Sequence, residues 1–204
     1  MRVRSPERRA QILETAVKTF ARLGYERASI AEVCADAGIA RGTLYQYFAD
    51  KQALFREVLR AYAGKVATHM QPLAPAQIPS APDREGLLDF LTERFERIYS
   101  VILDEREIYT ILFREALAKN ADTRDVVAEI HGRLVSLMVA EMEMGRRLGL
   151  VRVEESAFAA EFLIGGIFHT ALVCIVDAPV PQPPRLLAEK SARFVVGALS
   201  APRP

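Results

Sequence analysis

The chain has 204 residues, half of them apolar, and its 27 Lys+Arg against 26 Asp+Glu leave a formal net charge of only +1. That composition suits a soluble protein with one large core or two small ones, and the whole-chain charge points to no acidic partner. Two cysteines, Cys34 and Cys174, lie far apart, which excludes a disulfide framework and fits a reducing cytosol.

The distribution of charge says more than its sum. Residues 1–65 carry 12 Lys+Arg against 7 Asp+Glu, a balance of +5, and the remainder carries a balance of −4. A basic first third joined to an acidic remainder points to a polyanion-facing module on a differently employed body. The start, "MRVRSPERRAQ", is basic with no apolar run behind it, so it does not read as a secretory signal. One stretch, 157–176, has the length of a membrane span, but Glu161 and His169 interrupt it. It reads as a buried soluble helix, and no membrane partner is expected.

Apolar periodicities near 3.6 recur throughout and alternating patterns are almost absent, so the expected fold is all-α, with about nine helices. The first helix begins at Ser5, a good N-cap followed by Pro6, buries Ile12, Leu13, Ala16, Val17 and Phe20, and ends at Gly24. "SIAE" opens the second: Ser29 and Glu32 have capping-box spacing, Val33 and Cys34 face inward, and Gly38 stops it. A very short third helix covers about 40–47. Asp50 caps a fourth, with Leu54, Phe55, Val58, Leu59 and Tyr62 as its inner stripe. "QPLAPAQIPSAP", 71–82, has four prolines and marks a linker. Helices follow at about 83–103, 105–119, 122–148, 154–177 and 184–199. The expected organisation is a head at 1–66, the end of a connecting helix and linker at 67–82, and a helical body at 83–204.

Helices two and three, joined by a turn around Gly38, have the sequence form of a helix-turn-helix, whose second helix enters the DNA major groove. Arg41 and Thr43 stand where side chains reach bases or phosphates, and Gly42 permits close backbone approach. Tyr45, Gln46 and Tyr47 offer hydroxyl and amide groups. Leu44 and Phe48, four apart, form the inward anchor. Tyr45 and Tyr47 are two apart on a helix and cannot share a face, so at least one points away from the core.

The run from "ILETAVKTFARLGY" through "SIAEVCADAGIARGTLYQYFADKQALF" resembles the N-terminal domain of the TetR family of transcriptional regulators. The features that carry it are Leu-Gly-Tyr, Ser-Ile-Ala-Glu-Val, Ala-Gly-Ile, Gly-Thr-Leu-Tyr, and Tyr-Phe followed by a capped lysine, over roughly residues 6–62. The resemblance implies a helix-turn-helix at 29–48. Ser29 would touch phosphate, Arg41, Gly42, Thr43, Tyr45, Gln46 and Tyr47 would meet the operator, and Lys51 would clamp its backbone. Two positions depart from the family pattern. Ala40 replaces the usual Ser or Thr, and Gln46 stands where an aromatic is frequent, adding an amide able to read adenine.

The resemblance also implies that the body dimerises and senses a ligand. Phe162, Gly165, Gly166, Ile167, Thr170 and Leu172 of the penultimate helix, with Leu186, Leu187, Phe194, Val195 and Leu199 of the last, are the dimer candidates. Phe95, Tyr99, Ile102, Tyr109, Phe113, Met138, Met142, Phe162 and His169 are candidates to line an apolar effector pocket. His69, His131 and His169 are scattered, so no metal and no cofactor are expected.

The leading expectation is therefore a cytoplasmic homodimeric transcriptional repressor, not an enzyme. It would bind a palindromic operator in double-stranded DNA and be released by a small apolar or amphipathic effector. A helical lipid- or acyl-binding enzyme has no nucleophile elbow, phosphate loop or zinc motif to support it. A sequence-independent DNA-coating protein would need a larger basic surplus.

Overall fold

The computed structural model describes residues 5–69, 84–118 and 124–199, excluding the side chains of residues 62, 63, 65–69 and 113–118. The linker expected at 71–82 and the Tyr62 and Phe113 side chains thus lie outside the described residues. Those residues form nine α-helices and no strand: α1 (Pro6–Leu23), α2 (Ile30–Ala37), α3 (Arg41–Tyr45), α4 (Lys51–His69), α5 (Arg84–Asp104), α6 (Arg106–Ala118), α7 (Arg124–Arg147), α8 (Ser156–Ala171) and α9 (Pro184–Leu199). The chain divides into two compact units, one of residues 1–65 with 107–130 and one of residues 66–106 with 131–204.

In the first unit the helix ends follow local chemistry. The Ser5 hydroxyl accepts from the Arg8 N–H (3.3 Å), Pro6 fills the first turn, and Gly24 at φ 78° donates to the Phe20 carbonyl. The capping box at Ser29 forms as the spacing requires: Oγ accepts from the Glu32 N–H (3.3 Å) while the Ser29 N–H donates to Glu32 Oε2 (2.8 Å). Gly38 adopts the left-handed conformation, φ 64° and ψ 37°, so the chain turns from α2 towards α3 within three residues. Asp50 Oδ1 accepts from the Ala53 N–H (2.7 Å) at the start of α4.

The core of this unit centres on three rings. Phe20 and Phe55 meet edge-on with centroids 4.8 Å apart, and Tyr25 lies 4.6 Å from Phe55. Ile12, Ala16, Val33, Leu44, Phe48, Leu54, Val58 and Leu59 complete the buried set. Leu13 and Val17, expected in the inner stripe of α1, are only partly buried, and Thr19 is buried instead. The reason is polar: the Thr19 hydroxyl donates to Asp36 Oδ2 (2.7 Å), to which Arg22 also donates (2.7 Å), so a hydroxyl can occupy the α1–α2 seam without cost.

In the second unit α5 packs chiefly against α9. The buried Tyr99 hydroxyl of α5 meets Ser191 Oγ of α9 at 2.9 Å. Arg94 of α5, only 7 % exposed, pairs with Glu141 of α7. The helix expected over 154–177 changes form: α8 ends at Ala171 and continues as a π-helical turn, Leu172–Val176. Its carbonyls are taken from outside the helix. Arg106 donates through Nε (2.9 Å) and Nη2 (2.5 Å) to the Val176 carbonyl and through Nη2 to that of Ala178 (2.8 Å), and the Gln182 N–H donates to the Cys174 carbonyl (2.9 Å). These acceptors would have no such partners in a helix that simply frayed into water.

Candidate nucleic-acid interface

The short helix α3 separates its residues sharply. Leu44 is wholly buried and Phe48 nearly so, while Tyr45 is 52 % exposed and Arg41, Gly42 and Gln46 are exposed beside it. Thr43 and Tyr47 are half-buried. A Cβ built on Gly42 would meet nothing within 4 Å, so the open space over this edge would admit another backbone. Ala40 at the N-cap makes no side-chain hydrogen bond, and its carbonyl takes the N–H groups of Thr43 (2.9 Å) and Leu44 (3.3 Å). The first turn of α3 therefore keeps backbone N–H groups at its outer end, as expected where Ala replaces Ser or Thr.

The surroundings of this edge hold α3 to α1 and α4. The Tyr47 hydroxyl accepts the Ser5 backbone N–H (3.0 Å). The Arg9 guanidinium lies 5.4 Å from the centre of the Phe48 ring and pairs with Glu57. A cleft of about 560 Å³ opens between the first turn of α1 and α3, lined by Ser5, Arg8, Gln11, Thr43, Gln46 and Tyr47, among others. Burial raises the Cys34 thiol above its usual range, and the Arg41 charge opposes that only in part, so Cys34 stays a protonated core thiol. The Asp36 carboxyl is held below the usual carboxylate range, first by the Thr19 hydroxyl and then by Arg22.

Two residues assigned to phosphate are occupied otherwise. Ser29 spends its hydroxyl on the capping box, donating to Glu32 Oε2 (2.8 Å). Lys51 turns its ammonium inward: Nζ donates to the carbonyls of Tyr25 (2.9 Å), Ala28 (3.1 Å) and Glu26 (3.3 Å) and lies 4.4 Å from the centre of the Tyr25 ring. An ammonium has three protons, and here each has a carbonyl. Lys51 is thus a staple on the loop between α1 and α2, a role that its position at a helix start did not signal.

In the second unit the effector candidates part company. Phe95 and Tyr99 line a cleft of about 460 Å³ between α5, α8 and α9, together with Phe162, Thr170, Lys190 and Ser191. Burial raises the Tyr99 hydroxyl above its usual range, so it stays protonated as the polar floor of that cleft. Ile102, Met138 and Met142 are buried without lining it, and His169 is exposed. Tyr109, wholly buried, belongs to the first unit. Thr170, Lys190 and Ser191 were not foreseen as lining residues, because their meeting depends on how α8 and α9 cross α5.

The dimer candidates also divide. Phe162 is 60 % exposed and Phe194 59 %, with Gly165 and Gly166 exposed between turns of α8. Ile167, Leu187 and Val195 are buried within the protomer, where they form core, and Thr170 and Leu172 are half-buried. Phe158, stacked on Phe162 with centroids 6.4 Å apart, adds exposed apolar area that the sequence reading left out. The helix Ser156–Val176 is long and apolar enough to cross a membrane by length and composition, but its buried face, Ala160, Ile164, Ile167, Ala171 and Ile175, packs inside the unit. His131 pairs with Glu161 at 2.8 Å, and among the described residues no group of three or more His, Cys, Asp or Glu could hold a metal.

The family model for bacterial regulatory proteins of the tetR family matches residues 12–58. The HTH-type transcriptional regulator YuxN of Bacillus subtilis is 25% identical over 187 residues, which cover 90% of this chain and 60% of that relative's own length. The fatty acid degradation regulator FadR of Bacillus halodurans superposes with a TM-score of 0.79 at 18% identity, over 97% of this chain and 98% of that one. FadR of Bacillus subtilis, solved in complex with stearoyl-CoA, superposes with a TM-score of 0.76 at 18% identity, over 92% and 97%. Residues 12–58 thus match the N-terminal domain of bacterial regulatory proteins of the tetR family, and the chain as a whole shares the fold of the solved regulators.

Proposed function

We propose that this protein is a homodimeric, effector-responsive regulator of transcription, acting as a repressor on a palindromic operator in the cytoplasm. The observation that carries the reading is the division of α3 and the turn after it: Leu44 and Phe48 are committed to the core while Arg41, Gly42, Tyr45 and Gln46 are exposed along one edge. A short helix has no packing use for such an edge, and a major groove about 12 Å wide admits it. Arg41 supplies a guanidinium suited to guanine, Gln46 an amide suited to adenine, and Thr43 and Tyr47 short polar reach to the backbone. Ser29 acts through the N-terminus that it caps, and Lys51 acts by fixing the loop before α2.

The exposed aromatics of α8 and α9 support dimerisation. Phe158 stacks on Phe162, Phe162 and Gly166 border one cleft with Phe194, and a second copy would bury these exposed rings. The cleft between α5, α8 and α9 opens among the same residues, Phe162 and Phe194 included, so pairing would enclose it. Its apolar walls, the Tyr99 and Ser191 hydroxyls on the floor and Lys190 suit an amphipathic effector, and the stearoyl-CoA held by the similar FadR favours the same class. An effector there would bias the geometry of the dimer, and heads no longer about 34–36 Å apart would lose successive grooves.

Gel-shift titration of the full-length chain against duplexes enriched from a random library tests this. A palindromic consensus should emerge, stearoyl-CoA should release it, and Arg41→Ala should weaken binding by about 1–3 kcal/mol while relaxing one base position. Enrichment of no duplex at modest salt would end the reading. A steep salt dependence without any base preference would favour a sequence-independent coating protein instead.

A further inference from the structure

The π-helical turn after α8 touches the cleft on one side and the first residue of α6 on the other. The Asp177 N–H closes it by donating to the Leu172 carbonyl five residues back (2.8 Å). Such a turn holds one residue more than an α turn, is rare, and where it occurs is frequent at functional sites. Returning it to α register would rotate every group beyond it by roughly 100°, the turn per residue of a helix with 3.6 residues per turn. The carbonyls of Val176 and Ala178 would then leave the Arg106 guanidinium, which donates to both. Towards the cleft, Thr170, Cys174 and Gln182 are all lining residues, and the Gln182 N–H donates to the Cys174 carbonyl (2.9 Å). Arg106 opens α6, one residue after α5 ends, and is the last residue of the second unit. From Glu107 to Ile130 the chain belongs to the unit that carries α1–α3.

We propose that Arg106 and the π turn form a latch: Arg106 is a positioning residue that fixes where α6 begins, and an effector reaching the Cys174–Gln182 end of the cleft releases it. The proposal rests on the reading of that cleft as the effector site and of α3 as the helix that meets DNA. A ligand lodged only beside Phe162 and Phe194 leaves the latch closed. One that reaches Cys174 and Gln182 meets two residues whose backbones are bonded to each other, so the turn must give before the ligand fits. A turn with two discrete hydrogen-bonded arrangements supplies the two-state element that coupling requires, biased by the cleft at one side and by Arg106 at the other. Since the effector is read as freeing the duplex, the latched arrangement is the one that binds it. The chain from Glu107 onward then carries the change into the unit of α1–α3.

A ring built in at the far end of the cleft serves as the probe, so the test does not wait on the effector. Full-length wild type, Cys174→Phe, Arg106→Met and the double variant are titrated with the duplex that the wild type enriches, each first shown to be folded by circular dichroism, with Thr170→Phe standing in should Cys174→Phe not fold. Each single variant should bind the duplex about 10-fold more weakly, an ordinary allosteric coupling. The double variant should be no weaker than the weaker single, because both changes open one latch. Arg106→Lys keeps a donor for the two carbonyls and should stay within about threefold of the wild type. Amide exchange at residues 107–112 should rise alike in Cys174→Phe and Arg106→Met. Full affinity in Arg106→Met, losses that multiply to about 100-fold in the double variant, or unaltered exchange at 107–112 in Cys174→Phe would each overturn the latch. If the cycle behaves as expected while stearoyl-CoA does not bind, the latch stands and that effector is excluded. If the wild type enriches no duplex, the reading of α3 falls, and exchange at residues 107–112 alone decides the latch.

Discussion

Replacing Lys51 by methionine keeps much of the apolar stem and removes the ammonium. Three carbonyls then lose their donor, those of Tyr25 and Ala28 partly buried and that of Glu26 exposed. A hydrogen bond to a charged group contributes about 1.5–3 kcal/mol when well buried. With the exposure here we take about 1 kcal/mol for each of the two partly buried carbonyls, less for Glu26, and about 0.5–1 for the cation over the Tyr25 ring. The sum is about 3 kcal/mol, which for a chain of this size lowers the melting temperature by roughly 6–12 °C. Circular dichroism melts of wild type and Lys51→Met read this directly. On duplexes bound below the melting point, the salt slope of the variant should match that of the wild type. A melting temperature unchanged within about 1 °C, together with a salt slope shallower by about one unit, would show that Lys51 contacts phosphate and that the staple contributes nothing.

Three further outcomes are expected. Glu141→Met removes the carboxylate that pairs with the nearly buried Arg94 guanidinium and should cost about 1–3 kcal/mol in urea unfolding, whereas Arg94→Met/Glu141→Met should recover part of it; equal midpoints for the single and double variants would contradict this. The Asp36 carboxyl titrates below its ordinary value, so its stabilising effect is present above about pH 3.9 and is lost as pH falls through the lower folded value. Urea midpoints of the wild type should therefore drop more steeply below pH 4 than those of Asp36→Asn, and parallel curves would refute the linkage. If the proposed dimer forms through this face, wild type should scatter as a dimer at micromolar concentration and Phe162→Glu as a monomer, with the melting temperature of the protomer nearly unchanged, since the ring is largely exposed. A variant that remains dimeric would move the interface off this face of α8.

What could be read in the sequence was what depends on neighbours a few residues away. Ser29 and Glu32, three apart, specify their own capping box, Gly24 and Gly38 occupy the positive-φ positions that end two helices, and Leu44 with Phe48 declares the inward side of α3. Tertiary partners decided the rest. Thr19 took a core position from Leu13 and Val17 because Asp36 could accept its proton across the seam, something no periodicity in α1 reveals. Lys51 found three carbonyls more than twenty residues away. In α8, apolar nearly all round, composition could not tell Ile167, which is core, from Phe162, which faces outward. The π-helical turn at Leu172–Val176 likewise depends on Arg106, some seventy residues upstream, whose guanidinium holds the Val176 carbonyl.

The central claim is that a single exposed edge, residues 41–47, meets the duplex while its other side stays locked in the core. Hydrogen–deuterium exchange of the full-length protein, free and bound to its enriched duplex, tests this with the fewest assumptions. Protection on binding should concentrate on residues 41–47 and the start of α2, with exchange along α5 and α9 unaltered. Protection centred on α8 and α9, or none over 41–47 at saturating duplex, would contradict the account.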